Sequence, residues 1–273
     1  MKKVLKMVCF TVAYIVLPVA VTLGILQLIK DVGWINSLRQ TTPTSAFLFY
    51  DPFSIILLFL LVKFIRRENP FVFANVRKIP VNNVLLCAAL GLVMALFTNS
   101  LLNIGAFKSG VTGIGGSIDW IIQGNVLLIT LVTLLNSTYK EFCFRGLAFN
   151  EMTGIIPVAA AVIIQAMFYA LEVVCFQNPL SVSLYAFFGQ LVFGIIFFLG
   201  GSMWSSWLTQ ICCSMGLVLM RRTGVSDVFT DSFSTVMFIL CIVLIPGLLI
   251  VLGRIGRNKA GVKIPAASIE PEG

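Results

Sequence analysis

Histidine is absent from all 273 residues, which removes the commonest metal ligand and the usual general base near neutral pH. Any hydrolysis must run without imidazole, and nothing in the sequence calls for a metal or cofactor. Charge is scarce as well. Asp, Glu, Lys and Arg make up 11% of the chain, against about 25% in a typical soluble domain. Cys9, Cys87, Cys143, Cys175, Cys212, Cys213 and Cys241 lie almost wholly in apolar runs and lack the C-x-x-C spacing of a zinc or redox site, so most read as buried, inert thiols. No soluble domain is visible.

Hydrocarbon is what remains. Hydrophobic residues reach 59% and mean hydropathy is +1.01, the profile of an integral membrane protein. The net charge of +8 is dispersed through short stretches between apolar segments, as topology determinants are, and not along one basic face. Membrane lipid is therefore the expected surrounding, and no nucleic-acid partner is expected. The N-terminal MKKVLKM, followed by an apolar run to about Ile29 without an A-x-A-like cleavage site, reads as a retained first span.

A crossing needs about 20 mostly apolar residues. Eight segments qualify: Val4–Ile29, Ala46–Ile65, Asn82–Ile104, Trp120–Met152, Ile155–Phe176, Ser181–Leu199, Met203–Met220 and Ser234–Leu252. The fold expected is all-α, a polytopic helical bundle forming one transmembrane domain over residues 1–257, with residues 258–273 as a polar cytoplasmic tail. Lys and Arg clusters at the start of the chain, after span two and after span eight place both termini in the cytoplasm; Arg221 and Arg222 then fall outside, against the trend. The stretch KSGVTGIGG, within Gly105–Gly116, lacks the ending of a phosphate-binding loop and is expected to be a flexible loop. Asp51-Pro52 reads as a helix start or kink near the outer end of span two.

Span four carries YKEFCFRG, Tyr139–Gly146, three charges where lipid should surround the chain. Glu141 and Arg145, four residues apart, share a helix face. In span five, Glu172 lies on one stripe with Gln165 and Phe168. In span seven Ser202, Ser206, Gln210 and Ser214 recur every four residues, a polar seam that must face protein or trapped water. A lone charge at the bilayer centre costs about 2.5–3.5 kcal/mol on insertion scales. Lys140, Glu141, Arg145 and Glu172 sum to zero, so the expectation is two ion pairs: Glu141 with Arg145 inside one helix, and Lys140 with Glu172 between helices.

KEFCFRG resembles the EExxxR motif, usually continued as FRG, of the CPBP family of intramembrane CAAX-type proteases and bacteriocin-processing and immunity proteins. FYALE is similar to the family's FxxxH, with Glu172 at the histidine. Gly201, Ser202 and Trp204 match the lead-in to its HxxxN, where Gln210 and Ser214 stand at the histidine and asparagine. The resemblance spans roughly residues 120–220. It implies that the first glutamate and the motif-two histidine would activate a water, and that the motif-three pair would steady the oxyanion. Glu141 and Glu172 are then the catalytic motif positions, and Gln210, Ser214 and Ser206 the candidates for oxyanion or substrate binding. Lys140 replaces the water-activating glutamate, and an ammonium has no lone pair to offer a water.

Several functions stay open on this reading. One is a non-hydrolytic member that binds a peptide, lipopeptide or envelope protein, in an immunity or scaffold role. Another is a re-purposed acyl-transfer enzyme acting on lipid or lipoprotein, with Cys213, Ser214 or Cys143 as nucleophile. Conventional proteolysis with Glu141 as base is a third. A cell-membrane, bacterial setting is expected.

Overall fold

The computed structural model describes residues 2–176 and 178–259; most of the expected polar tail lies outside the described residues. Among these residues the chain is helical throughout, without a strand, and eight helices are long and apolar enough to cross a membrane. In chain order these are α1 (Lys2–Ile29), α3 (Pro43–Arg66), α5 (Val81–Asn103), α7 (Val126–Thr153), α8 (Val158–Cys175), α9 (Leu180–Gly200), α10 (Met203–Arg222) and α11 (Asp231–Lys259). Shorter helices intervene: α2 (Gly33–Thr41), α4 (Pro70–Phe73) and α6 (Lys108–Ile121). The outward flank of α11, with Val236, Ile239, Val243 and Ile250, stays exposed, as a lipid-facing surface must.

Two expectations change. The glycine-rich stretch is helical: Gly105–Phe107 forms a 3₁₀ turn and Lys108–Ile121 is α6. Its isoleucines supply the missing reason, because Ile114 and Ile118 lie four apart and bury one stripe against Leu102 of α5. Gly113 meanwhile allows close approach to the Pro179–Ser181 segment, where a Cβ would lie 2.8 Å from the Ser181 hydroxyl. The fourth span also begins later than the hydropathy suggested. Trp120 and Ile121 end α6, and the chain turns at Gly124, whose φ of +98° is open to glycine. Asn125 then caps α7 by accepting from the amides of Leu127 (2.9 Å) and Leu128 (3.3 Å). Arg222 donates to the carbonyls of Ile122 and Gly124, and Arg221 lies 4.0 Å from Asp119. The two arginines that broke the charge trend are thus occupied in tying α10 to this turn.

Glycines also set the tightest crossing, that of α5 with α10. A Cβ on Gly91 would run into the Thr209 carbonyl and Cys212, and one on Gly216 would come within 3.0 Å of the Ala95 methyl. Small residues four apart on both helices let backbones approach where no hydrophobic effect drives helices together in lipid. A second seam lies at the turn into α10. Ser202 caps that helix and also donates to the Arg77 carbonyl (2.6 Å), while Asn75 donates to the Gly201 carbonyl (3.0 Å). The Gly201-Ser202-Trp204 signature therefore fastens the α9–α10 corner to the α4–α5 linker.

Helix α7 departs from α geometry where its charges begin. Glu141–Phe149 runs as nine residues of π-helix, and every one of them is buried. The wider turn shifts the side chains that follow relative to an α-helical register, a distortion frequent at functional sites. This segment forms the centre of the larger core with Tyr14, Leu58, Val62 and Phe197.

Candidate functional site: a polar cavity beside a sealed ion pair

Motif residues on α7, α8 and α10 converge, but onto two separate places. The first is sealed. Glu141 and Arg145 are both fully buried, and Glu141 Oε1 lies 3.4 Å from Arg145 Nη1, an ion-pair distance longer than a hydrogen bond. The Ser206 hydroxyl donates to the other carboxylate oxygen. The guanidinium also sits over the Phe193 ring, 5.6 Å from its centroid. One Glu141 oxygen is thus hydrogen-bonded and the other faces the guanidinium, both within the protein.

The second place is a cavity of about 420 Å³ bounded by α1, α3, α6, α7, α8 and α10. That volume lies within the range of small-molecule sites. Lys140, Glu172, Gln210 and Ser214 are on its wall, so three of the four altered motif positions, together with Ser214 at the fourth, line a single space. Glu141 is not among the lining residues. The polar seam of α10 divides accordingly: Ser202 and Ser206 serve the protein interior, and Gln210 and Ser214 face the cavity.

The expected Lys140–Glu172 clasp is not formed as a direct contact. Among the described residues Lys140 makes no ion pair; its ammonium lies 5.2 Å from the centroid of the Tyr169 ring. Glu172 instead accepts from the Tyr139 hydroxyl at 2.9 Å, inside the protein. The physical reason is a third charged group that charge balancing within the motifs left out. Asp51 is fully buried, shares the cavity wall, accepts from the Asn136 amide at 3.1 Å, and interacts electrostatically with Lys140 as Glu172 does. Asp51 and Glu172 are each held by a neighbour, Asn136 and Tyr139, and the ammonium lies against the Tyr169 ring. The Asp51-Pro52 step is therefore more than a kink, since Pro52 lies within the helix and Asp51 projects to the site. Asp51 is an ionisable residue inside a span, and that placement alone is a signal of function.

The candidate nucleophiles separate as well. The Cys143 thiol is buried and donates to the Tyr14 carbonyl at 3.1 Å. Cys213 is buried in the core beside Cys87 and Leu217. Neither lines the cavity, whereas Ser214 does. Tyr50, Tyr169, Phe47 and Trp120 supply aromatic walls, with Phe47 edge-on to Tyr50 (5.2 Å) and to Trp120 (6.2 Å).

An eight-span helical bundle with polar residues of its fourth, fifth and seventh spans lining one cavity defines a polytopic membrane protein with a polar site inside its spans. Residues 122–216, which carry all three motifs, match the Rce1-like family model, described as type II CAAX prenyl endopeptidase Rce1-like, and this segment is CPBP-family sequence. No curated protein and no solved structure matches the chain.

Proposed function

We propose that this protein binds a peptide, lipopeptide or envelope partner in the cavity and does not hydrolyse peptides by the family's glutamate-dependent route. It would do so as an immunity or scaffold protein of a bacterial cell membrane, with both termini in the cytoplasm. The observation that carries this reading is the division of the motif. The retained glutamate, Glu141, is engaged by Arg145 and Ser206 away from the cavity, and the wall offers Lys140 where relatives place the water-activating acid. A lysine ammonium donates and cannot accept a proton from water. Gln210 and Ser214 retain hydrogen-bonding groups suited to a bound carbonyl without supplying a base. Of the acyl-transfer nucleophiles, only Ser214 reaches the wall, so that second reading rests on one hydroxyl.

The test is cleavage of a prenylated CAAX-type peptide by purified protein in lipid nanodiscs, followed by mass spectrometry. The wild-type chain is expected to give no time-dependent product. Restoring the family residues together, as Lys140→Glu, Glu172→His, Gln210→His and Ser214→Asn, is expected to be the minimum change from which product appears. Cleavage by wild-type protein that disappears in Glu141→Gln would overturn the proposal.

A further inference from the structure

The cavity wall carries an excess of unanswered acceptors. Asp51 Oδ1, Glu172 Oε2 and Gln210 Oε1 are each buried without a hydrogen-bond partner, and all three residues line the same space. Asp51 is fully buried, while Glu172 and Gln210 are 8% and 6% exposed. Leaving a buried acceptor unsatisfied costs about 1–3 kcal/mol, and more when the group is charged. Each residue's other polar atoms do not reduce that need. Asp51 Oδ2 and Glu172 Oε1 already accept from Asn136 and Tyr139. The Thr44 hydroxyl on the same wall is unpartnered too, and Lys140 forms no ion pair among the described residues, so the three acceptor oxygens are left for a donor brought into the space.

Formal charge points the same way. Two carboxyl groups, Asp51 and Glu172, share the lining with one ammonium, Lys140, so acidic groups outnumber basic ones there. The walls are also built to hold a positive charge. Lys140 rests against the Tyr169 face, and Tyr50, Phe47 and Trp120 continue the aromatic lining. Aromatic faces attract ammonium and guanidinium groups, most strongly where water is excluded. A bare metal ion is a poor match, because the space is an order of magnitude larger than one ion and mostly apolar, and no metal-holding cluster occurs among the described residues.

We propose that the cavity recognises an organic cation, an ammonium or guanidinium group carried on an apolar body, with the positive group set among Asp51, Glu172 and Gln210 and the body against the aromatic walls. The proposal rests on the reading of this space as a binding site and names the class of group bound there. A basic side chain or free amino terminus of a peptide has this chemistry, as does a small aralkyl amine.

Isothermal titration of the full chain in nanodiscs with three isosteric probes tests it: phenethylamine (cation), 2-phenylethanol (neutral) and phenylacetate (anion). The amine is expected to bind about tenfold or more tightly than the alcohol, the ratio that one charge-assisted hydrogen bond supplies. Asp51→Asn and Glu172→Gln, each checked for an unchanged melting profile, are expected to erase that preference. The probe series on wild-type protein decides the matter even where a variant fails to fold. Equal binding of amine and alcohol, tighter binding of the anion through Lys140, or no binding of any probe at millimolar concentration would overturn the inference. Peptide cleavage would contradict the binding role and leave this charge preference standing, so the two can fail separately.

Discussion

Arg145 and Lys140 sit five residues apart in one helix, yet their situations differ in a way that mutation should reveal. Arg145 is fully buried and among the described residues its counter-charge within ion-pair distance is Glu141 alone, so truncating it strands a carboxylate in the bilayer interior. Breaking a buried pair from one side costs about 3–5 kcal/mol. Arg145→Met is expected to lose that much in reversible unfolding of the purified protein, with Glu141→Gln added to it restoring part of the loss. Lys140→Met removes a ring contact worth about 0.5–1 kcal/mol and a cation that faces Asp51 and Glu172 without an ion-pair contact, and should cost less than Arg145→Met. Equal losses would mean that Lys140 is clasped as tightly as Arg145. At this scale the Glu141–Arg145 contact was legible, because a four-residue spacing on a helix brings two side chains together. Lys140's surroundings were not. Those depend on Asp51, nearly ninety positions upstream, and on the Tyr139 hydroxyl taking one oxygen of Glu172.

Among the elements, α6 shows how composition misleads. Five glycines in Gly105–Gly116 suggest a mobile loop, since each glycine in a helix interior costs about 0.5–1 kcal/mol relative to alanine. The stripe of Val111, Ile114 and Ile118 packs against α5 and Tyr185 of α9 and outweighs that cost. The glycines then separate by surroundings. Gly110 has open space where a Cβ would go, so Gly110→Ala is expected to raise stability by about 0.5–1 kcal/mol. Gly113→Ala meets Ser181 and Pro179 and should lower it. Thermal unfolding of both variants checks the pair, and a loop would respond to neither. The eight long spans were legible because hydrocarbon thickness fixes their length, and the ends of α8, at Pro157 after Gly154, because proline and glycine mark helix boundaries. The π-helical stretch was not legible. Its register is set by packing against α1 and α3, which no local pattern in KEFCFRG records.

For the molecule as a whole, the bundle keeps the family's arrangement of motifs while dividing their polar groups between a sealed interior pair and a cavity. That division accounts for four charged or polar substitutions at once. Glu141 is packed in the interior beside Arg145, and Lys140, Glu172, Gln210 and Ser214 line the cavity. The sequence disclosed which residues would meet but not that they would meet in two places, because the partners that hold Glu141 and Arg145, Ser206 and Phe193, come from other helices.

Chemical labelling tests that division most directly. The native protein in nanodiscs would be treated with a small membrane-permeant carbodiimide and a nucleophilic amine, and the modified carboxyl groups located by peptide mapping. Glu172 is expected to be modified and Glu141 to remain unmodified until the protein is unfolded. Labelling of native Glu141 at a rate matching that of Glu172 would contradict the sealed pair and place Glu141 on the cavity wall.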